Sequence, residues 1–178
     1  GHSVTVYERE DKAGGLLMYG IPNMKLEKWV IDRRIKLMKD EGVDFIFNAD
    51  VGHNISADHL MSEDDALALC CGAKKARSLN AKGIEYLADY SKNGLTNKGG
   101  MIFAVDFLTA VTKCVIATSK ALEKIEIEAT NGQIAQMLDQ NFGLEIAGKN
   151  VVIVGGGDTG NDCCGSAIRL GAESVTQI

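Results

Sequence analysis

The stretch VVIVGGGDTG, residues 151–160, is the most informative part of this sequence. Four apolar and mostly β-branched residues open it and predict a buried strand. Gly155, Gly157 and Gly160 follow at the spacing Gly-x-Gly-x-x-Gly, and the segment DTGNDCCGSAIRLG after them is compatible with a helix. A glycine-rich turn between a strand and a helix is typical of βαβ units that bind dinucleotides. The sequence therefore predicts an α/β fold built around this turn.

The glycines of this turn have separate predicted roles. Gly155 permits the tight turn, Gly157 lets the backbone approach a pyrophosphate, and Gly160 lets the helix pack closely against the strand. The exposed N–H groups and the dipole of the helix favour anionic phosphates. The motif therefore assigns Gly155, Gly157 and Gly160 to a predicted phosphate-binding turn.

The rest of this unit reads as a helix over 158–170, a stop at Gly171 and a strand over 174–178. In such units the residue that recognises the adenosine ribose stands at or just past the end of the second strand. An acid there suits NAD and an arginine suits NADP. The sequence ends at Ile178. It therefore does not distinguish the two nucleotides.

The N-terminal segment GHSVTVYEREDKAGG, residues 1–15, resembles the second half of the same design. Alternating residues predict a strand over 3–8 that ends in the acidic residue Glu8. An acid at this position takes ribose hydroxyls in dinucleotide-binding units, about 20 residues after the glycine turn. No such turn stands upstream of Gly1. We therefore expect an internal fragment with two incomplete copies of one design.

Between these ends the periodicity predicts further elements. A helix is expected over 26–41 with Gly42 as its stop, then a strand over 43–47 and a short helix opened by Ser56. The run ALALC, residues 66–70, predicts a buried strand. Residues 73–100 predict a polar surface excursion. Helices are expected over 103–118 and near 133–141.

Composition and charge exclude several classes of partner and site. The 178 residues carry a net charge of −5, which argues against nucleic acid as a partner, and no apolar run is long enough to span a membrane. The five cysteines lack metal-ligand spacing and predict reduced, small core residues, and the three histidines also lack that spacing, so no metal site is expected. Basic residues that predict a solvated helix face are Lys25, Lys28, Arg33, Arg34, Lys36 and Lys39.

Three stretches together suggest a family. The segments GGLLMYGIPNMKLEK (14–28) and VVIVGGGDTGNDC (151–163) resemble the small, NAD(P)H-oxidising subunit or domain of glutamate synthase. The segment FAVDFLTAVTK (103–113) resembles the connecting helix of that family. The resemblance implies a Rossmann-type, three-layer α/β fold with two interleaved dinucleotide-binding domains, both incomplete here. Residues 1–118 would form part of an FAD-binding domain and residues 119–178 part of an NAD(P)H-binding domain.

The resemblance also implies residue roles. Glu8 would bind the ribose of the FAD adenosine, and Gly14, Gly15 and Leu16 would line the FAD path, although Gly14-Gly15 can also be a plain turn. The family usually has Ala-Thr-Gly against the flavin, where this chain has Cys70-Cys71-Gly72. Gly72 is then a further candidate for FAD. Gly155, Gly156, Gly157 and Gly160, with Asp158 and Thr159, would hold NAD(P)H near the flavin, although Asp158 and Thr159 can also be only helix caps. No catalytic side chain is predicted because the cofactors carry hydride transfer.

The partners implied by the resemblance lie outside this chain. They are an iron–sulfur domain and the large subunit or domain of glutamate synthase, in the cytoplasm or a plastid. The predicted function is transfer of hydride from NAD(P)H to FAD, with electrons passing on to iron–sulfur clusters for glutamate synthesis. The alternative is a non-catalytic, Rossmann-like nucleotide-binding or interaction module, which the missing turn and the Cys70-Cys71 substitution favour.

Overall fold

The structure, a computed structural model, describes residues 1–73, 75–77, 79–83, 100–123 and 130–178. These residues form six helices and four strands, so the mixed α/β class predicted from the sequence is confirmed. The chain divides into two compact units. Unit 1 comprises Gly1–Met18 and Leu26–Ala76, and unit 2 comprises Tyr19–Lys25 and Arg77–Ile178. The predicted boundary at residue 118 separates an FAD-binding from an NAD(P)H-binding domain, and it stays a prediction.

Unit 1 contains one βαβ arrangement. Strand β1 (Val4–Glu8) is followed by the short helix α1 (Leu16–Tyr19), helix α2 (Lys28–Asp40) and strand β2 (Val43–Phe47). The two strands pair in parallel, from Val4 opposite Val43 to Glu8 opposite Phe47. Helix α3 (Ala57–Glu63) begins after Ser56, whose hydroxyl accepts a hydrogen bond from the His59 N–H. Strands β1 and β2 and helices α2 and α3 agree with the sequence predictions, including the stop at Gly42, which has a φ of +94°. Helix α1 was not predicted, and its last residue, Tyr19, belongs to unit 2.

Unit 2 contains three longer helices and a second parallel strand pair. The elements are α4 (Ala104–Glu123), α5 (Asn131–Phe142), β3 (Asn150–Ile153), α6 (Asp158–Arg169) and β4 (Ser174–Gln177). Strands β3 and β4 pair in register from Asn150 opposite Ser174 to Ile153 opposite Gln177. Strand, glycine turn, helix and strand therefore occur in the predicted order.

The apolar core of unit 2 lies where helices α4, α5 and α6 meet strand β3. Helix α5 begins with a reciprocal cap: the Thr130 hydroxyl accepts from the Gln133 N–H, and the Gln133 side chain accepts from the Thr130 N–H. Helix α4 extends five residues beyond its predicted end at Thr118. The Thr118 hydroxyl donates to the Cys114 carbonyl at 2.7 Å. The buried core residues are Phe107, Leu108, Ala110, Val111, Cys114, Ile134, Leu138, Leu144, Ile153, Cys163, Ala167 and Leu170.

The predicted buried strand over 66–70 is wrong. The structure gives this segment no regular structure and leaves it exposed, with Leu69 at 87% of its full accessibility. A strand that is apolar on both faces needs ladder partners and covering helices, and within the described residues β1 pairs only with β2. The prediction that all cysteines are core residues also fails here, because Cys70 and Cys71 are exposed while Cys114 and Cys163 are buried.

The predicted solvated basic face is correct for four members and wrong for two. Lys28 is buried, lies one turn from the buried Ile31 on α2, and donates to the Leu17 carbonyl at 3.0 Å. Burial lowers the pKa of Lys28. Lys25 precedes α2 and belongs to unit 2. Most of the predicted surface excursion, residues 84–99, lies outside the described residues.

Candidate functional site

The glycine turn of unit 2 is fixed to the end of strand β4. Gly155 has a φ of +116°, which favours glycine, as its predicted role requires. Its N–H donates to the Ile178 carbonyl at 2.7 Å, and its carbonyl accepts from the Gln177 side-chain amide at 2.8 Å. The turn is therefore held at both peptide units that flank the Gly155 Cα, and α6 starts from a defined position.

Gly160 lies where the first turn of α6 faces the Gly155 carbonyl. A Cβ built at Gly160 would overlap the Gly155 carbonyl oxygen and would stand 2.8 Å from the Gln177 side-chain nitrogen. Real Cβ atoms essentially never approach other heavy atoms this closely. The position therefore requires glycine for close packing of helix on strand, the geometry that the sequence predicted for it.

The opening of α6 leaves space for a ligand. A Cβ added at Gly156 or Gly157 meets no atom of the described chain within 4 Å. Gly157 is the N-cap residue and has no side chain to satisfy the first N–H groups of the helix. Asp158 and Thr159 are the first two helical residues and are exposed, so neither occupies the N-cap position that the alternative assigned to them.

Helix α6 also carries a buried carboxylate that the sequence did not single out. Asp162 is 6% exposed, and its Oδ1 lies 2.6 Å from Nζ of Lys25. This ion pair raises the pKa of Lys25, and the charge of Asp158 contributes in the same direction. The sequence signal that could have identified Asp162 is its position among small residues on the inward face of the helix. Helical spacing alone did not identify its partner, which precedes it by more than a hundred residues.

The residues predicted for FAD lie in unit 1, and each has a local structural role. Glu8 ends β1, and its Oε1 accepts from the Glu10 N–H at 2.9 Å. Gly14 has a φ of +117°, and a Cβ there would stand 3.0 Å from Ile31 Cγ2. Gly15 has a φ of +52° with open space around it, and it precedes Leu16, the first residue of α1, which is 60% exposed.

Gly72 is placed apart from that turn. It follows the exposed segment 66–70, has a φ of +66°, and would meet nothing within 4 Å if it carried a Cβ. Gly14, Gly15 and Leu16 form one continuous turn into α1, while Glu8 and Gly72 end other segments of unit 1. Residues 155–160 form one turn in unit 2.

Two thiols of unit 2 are protected by burial. Burial raises the pKa of Cys114 to about 11. Burial, together with the neighbouring charges of Asp162 and Cys164, raises the pKa of Cys163 to about 12. Within the described ranges no group of three or more His, Cys, Asp or Glu residues is arranged to hold a metal ion. None of the helices in the described part of the chain combines the length and apolar character that crossing a membrane requires.

Known proteins match the chain along its whole length. It is 42% identical over 178 residues to the glutamate synthase [NADPH] small chain of Bacillus subtilis, covering 100% of this chain and 30% of that protein. The chain is homologous to a segment of the glutamate synthase small chain. This confirms the resemblance that residues 14–28 and 151–163 predicted.

Two further relatives are similar over nearly the whole chain. The glutamate synthase [NADPH] small chain of Azospirillum brasilense is 39% identical over 175 residues, which are 98% of this chain and 30% of that protein. The glutamate synthase [NADH] of Saccharomyces cerevisiae is 43% identical over 175 residues, which are 98% of this chain and 7% of that protein. The chain thus spans less than a third of each of these relatives. No protein-family model matches it.

Proposed function

We propose that this glutamate synthase-like segment binds NAD(P)H at the glycine turn 155–160 and belongs to a flavoprotein that passes hydride from NAD(P)H to FAD. The observation that carries the proposal is the opening of α6. The turn is fixed to β4 through Gly155, Gly160 permits the close packing, and Gly157 leaves open space before uncapped helical N–H groups. Such an arrangement favours the phosphates of a dinucleotide.

The residues of this turn would perform binding and orientation rather than proton transfer. The N–H groups of the first turn of α6 would donate to the pyrophosphate, and the absent side chain at Gly157 would let it approach the backbone. Bound NAD(P)H supplies the hydride. Relatives are named for both NADPH and NADH, so the proposal includes either nucleotide.

For FAD we propose the residues of unit 1: Glu8, Gly14, Gly15, Leu16 and Gly72. Glu8 ends a parallel strand, as a ribose-binding acid does, and one of its oxygens is not used by the Glu10 bond. The left-handed glycine turn leads directly into α1. These residues would belong to a partial FAD-binding domain over 1–118, interleaved with a partial NAD(P)H-binding domain over 119–178.

The wider assignment follows from the relatives. We propose that electrons continue to an iron–sulfur domain outside this chain and to the large subunit or domain of glutamate synthase, in the cytoplasm or a plastid. The similarity over all 178 residues to glutamate synthase small chains supports this role. The exposed Cys70-Cys71 segment is the feature that favours the alternative of a non-catalytic nucleotide-binding module.

The test is calorimetric titration of NADPH and NADH into the full 178-residue chain and the variant Gly157→Ser. Serine is a good N-cap residue, and its Cβ meets no protein atom here, so the variant is expected to fold normally. The side chain would occupy the space for the pyrophosphate. We expect at least about ten-fold weaker binding, since an imposed clash removes several phosphate contacts.

The matched control is Gly132→Ala, a glycine in the first turn of α5 whose Cβ would meet only the Thr130 hydroxyl oxygen, at 4.0 Å. It is expected to bind as the unchanged chain does. Equal affinity of Gly157→Ser and the unchanged chain would refute the assignment of the turn. Absorbance spectra before and after NADPH, recorded on a chain reconstituted with FAD, separate the two functions: bleaching supports the oxidoreductase, and nucleotide binding without bleaching supports the module.

A further inference from the structure

A short segment of the N-terminal half of the chain packs within unit 2. Residues Tyr19–Lys25 interrupt unit 1 in sequence but belong to the same compact unit as α6. The segment lies inside the stretch 14–28 that carries the resemblance to glutamate synthase, although the roles proposed above use only Gly14 to Leu16 of that stretch. Its remaining residues include Lys25 and Met24, which contact α6.

Lys25 neutralises the buried carboxylate of α6. A buried carboxylate is costly unless it is paired with a cation. Asp162 is 6% exposed, whereas Lys25 is 44% exposed, so the lysine brings a hydrated charge to a carboxylate that water barely reaches. Their separation of 2.6 Å is that of a close ion pair, and the carboxylate oxygen that faces Lys25 has no other partner among the described residues. Removing the ammonium would leave an uncompensated charge inside the second turn of the helix.

The same segment contacts α6 at a second point. A Cβ at Gly165 would stand 2.5 Å from Cε of Met24, so the methionine lies directly over this glycine. Asp162 and Gly165 are three residues apart and therefore share one face of the helix. Both contacts of the segment therefore fall on the same face of α6.

The charges at the start of α6 give this ion pair a direct bearing on an anionic ligand. Asp158 and Asp162 both place negative charge in the first two turns, where nucleotide phosphates would bind. Lys25 interacts favourably with both carboxylates. Without it, the first two turns would present two uncompensated negative charges to a pyrophosphate.

We propose that Lys25 is a positioning residue for the nucleotide site: through Asp162 it holds the first two turns of α6 in place and offsets their negative charge. The inference rests on the proposed function only in naming what the helix is held for. It assigns Lys25 no contact with the nucleotide.

The test compares three variants of the full chain by hydrogen exchange and by titration with NADPH and NADH. Lys25→Met keeps the aliphatic stem and removes the charge. Lys25→Met with Asp162→Asn also removes the buried carboxylate. The matched control is Lys149→Met, which removes a lysine of unit 2 from an exposed ion pair with Glu145, where side-chain exposures are 52% and 63%.

We expect Lys25→Met to speed amide exchange in peptides covering 158–169 by about ten-fold and to weaken nucleotide binding by a similar factor. Exchange in α5 should stay unchanged, whereas a general loss of stability would accelerate exchange there as well. The double variant should recover most of the protection because no unpaired charge remains buried. Lys149→Met should change neither readout.

Three results would overturn the inference. The first is the same exchange rate in α6 for Lys25→Met and Lys149→Met, and the second is equal acceleration of exchange in α5 and α6. The third is unchanged nucleotide affinity although exchange in α6 has become faster. Failure of the unchanged chain to bind either nucleotide would instead refute the proposed function. The exchange comparison would then decide by itself whether Lys25 fixes the helix.

Discussion

The two interior glycines of α6 predict responses of different size to the same substitution. Gly160→Ala and Gly165→Ala each add one methyl group to the same helix, and each gains about 1 kcal/mol of intrinsic helix propensity. They differ in what the methyl meets. At Gly160 it overlaps a backbone carbonyl oxygen, and at Gly165 it meets the flexible end of Met24.

The obstacle at Gly160 has little freedom to move. The Gly155 N–H is hydrogen-bonded to the Ile178 carbonyl at 2.7 Å, and the Gly155 carbonyl to the Gln177 side-chain amide at 2.8 Å. Relief of the overlap therefore requires a shift of α6, and the same methyl group crowds the Gln177 side-chain nitrogen, 2.8 Å away, so the Gln177 bond is lost as well. Overpacking costs about 1–3 kcal/mol and a lost hydrogen bond about 1 kcal/mol, which together exceed the gain in propensity. We expect Gly160→Ala to lower the free energy of unfolding by about 1–3 kcal/mol.

Gly165→Ala should change that free energy by no more than about 1 kcal/mol in either direction, because Met24 can adopt another rotamer. Urea unfolding followed by circular dichroism at 222 nm measures both variants. With a denaturant slope of about 2 kcal/mol/M, the Gly160→Ala midpoint should fall by about 0.5–1.5 M. Equal midpoints for the two variants, or a higher one for Gly160→Ala, would refute the close packing of α6 on the glycine turn.

Three further predictions concern unit 2. Leu138→Ala should cost about 2–5 kcal/mol in urea unfolding because Leu138 is fully buried, whereas Ile168→Ala, at a position 62% exposed, should cost well under half as much. Thr130→Ala should cost about 1 kcal/mol by removing the reciprocal cap of α5, and an unchanged midpoint would contradict the role of that cap. Burial raises the pKa of Cys163 to about 12 from an ordinary 9.0. The folded state therefore keeps a proton that the unfolded chain loses, and stability should fall as the pH rises above 9. Cys163→Ala should show a smaller fall, and an equal one would contradict the assignment.

The elements with local signals were predicted well. The glycine turn combines a β-branched run, glycines at fixed offsets and a helical segment, and all of these signals lie within about twenty residues. The same holds for α2, which is bounded by Gly42, and for α3, which begins after Ser56. Caps and positive-φ glycines act over one or two turns, so the sequence contains them in readable form.

The errors arose where a local pattern depended on distant partners. The run 66–70 has the composition of a buried strand, but no described strand pairs with it, and Cys70 and Cys71 are consequently exposed. Lys25 and Lys28 fit a basic helix face by spacing. Their surroundings instead give one an ion pair with a buried carboxylate and the other a buried hydrogen bond to a backbone carbonyl.

The sequence by itself determined the α/β class, the positions of most helices and strands, the glycine turn and the similarity to glutamate synthase. Tertiary structure alone decided that Gly160 faces the Gly155 carbonyl, that Asp162 is buried, and that Lys25 neutralises it. Hydrophobic periodicity and capping are properties of neighbouring residues and can be read along the chain. Burial of a charge depends on which distant segment supplies its partner, and that is fixed only when the chain folds.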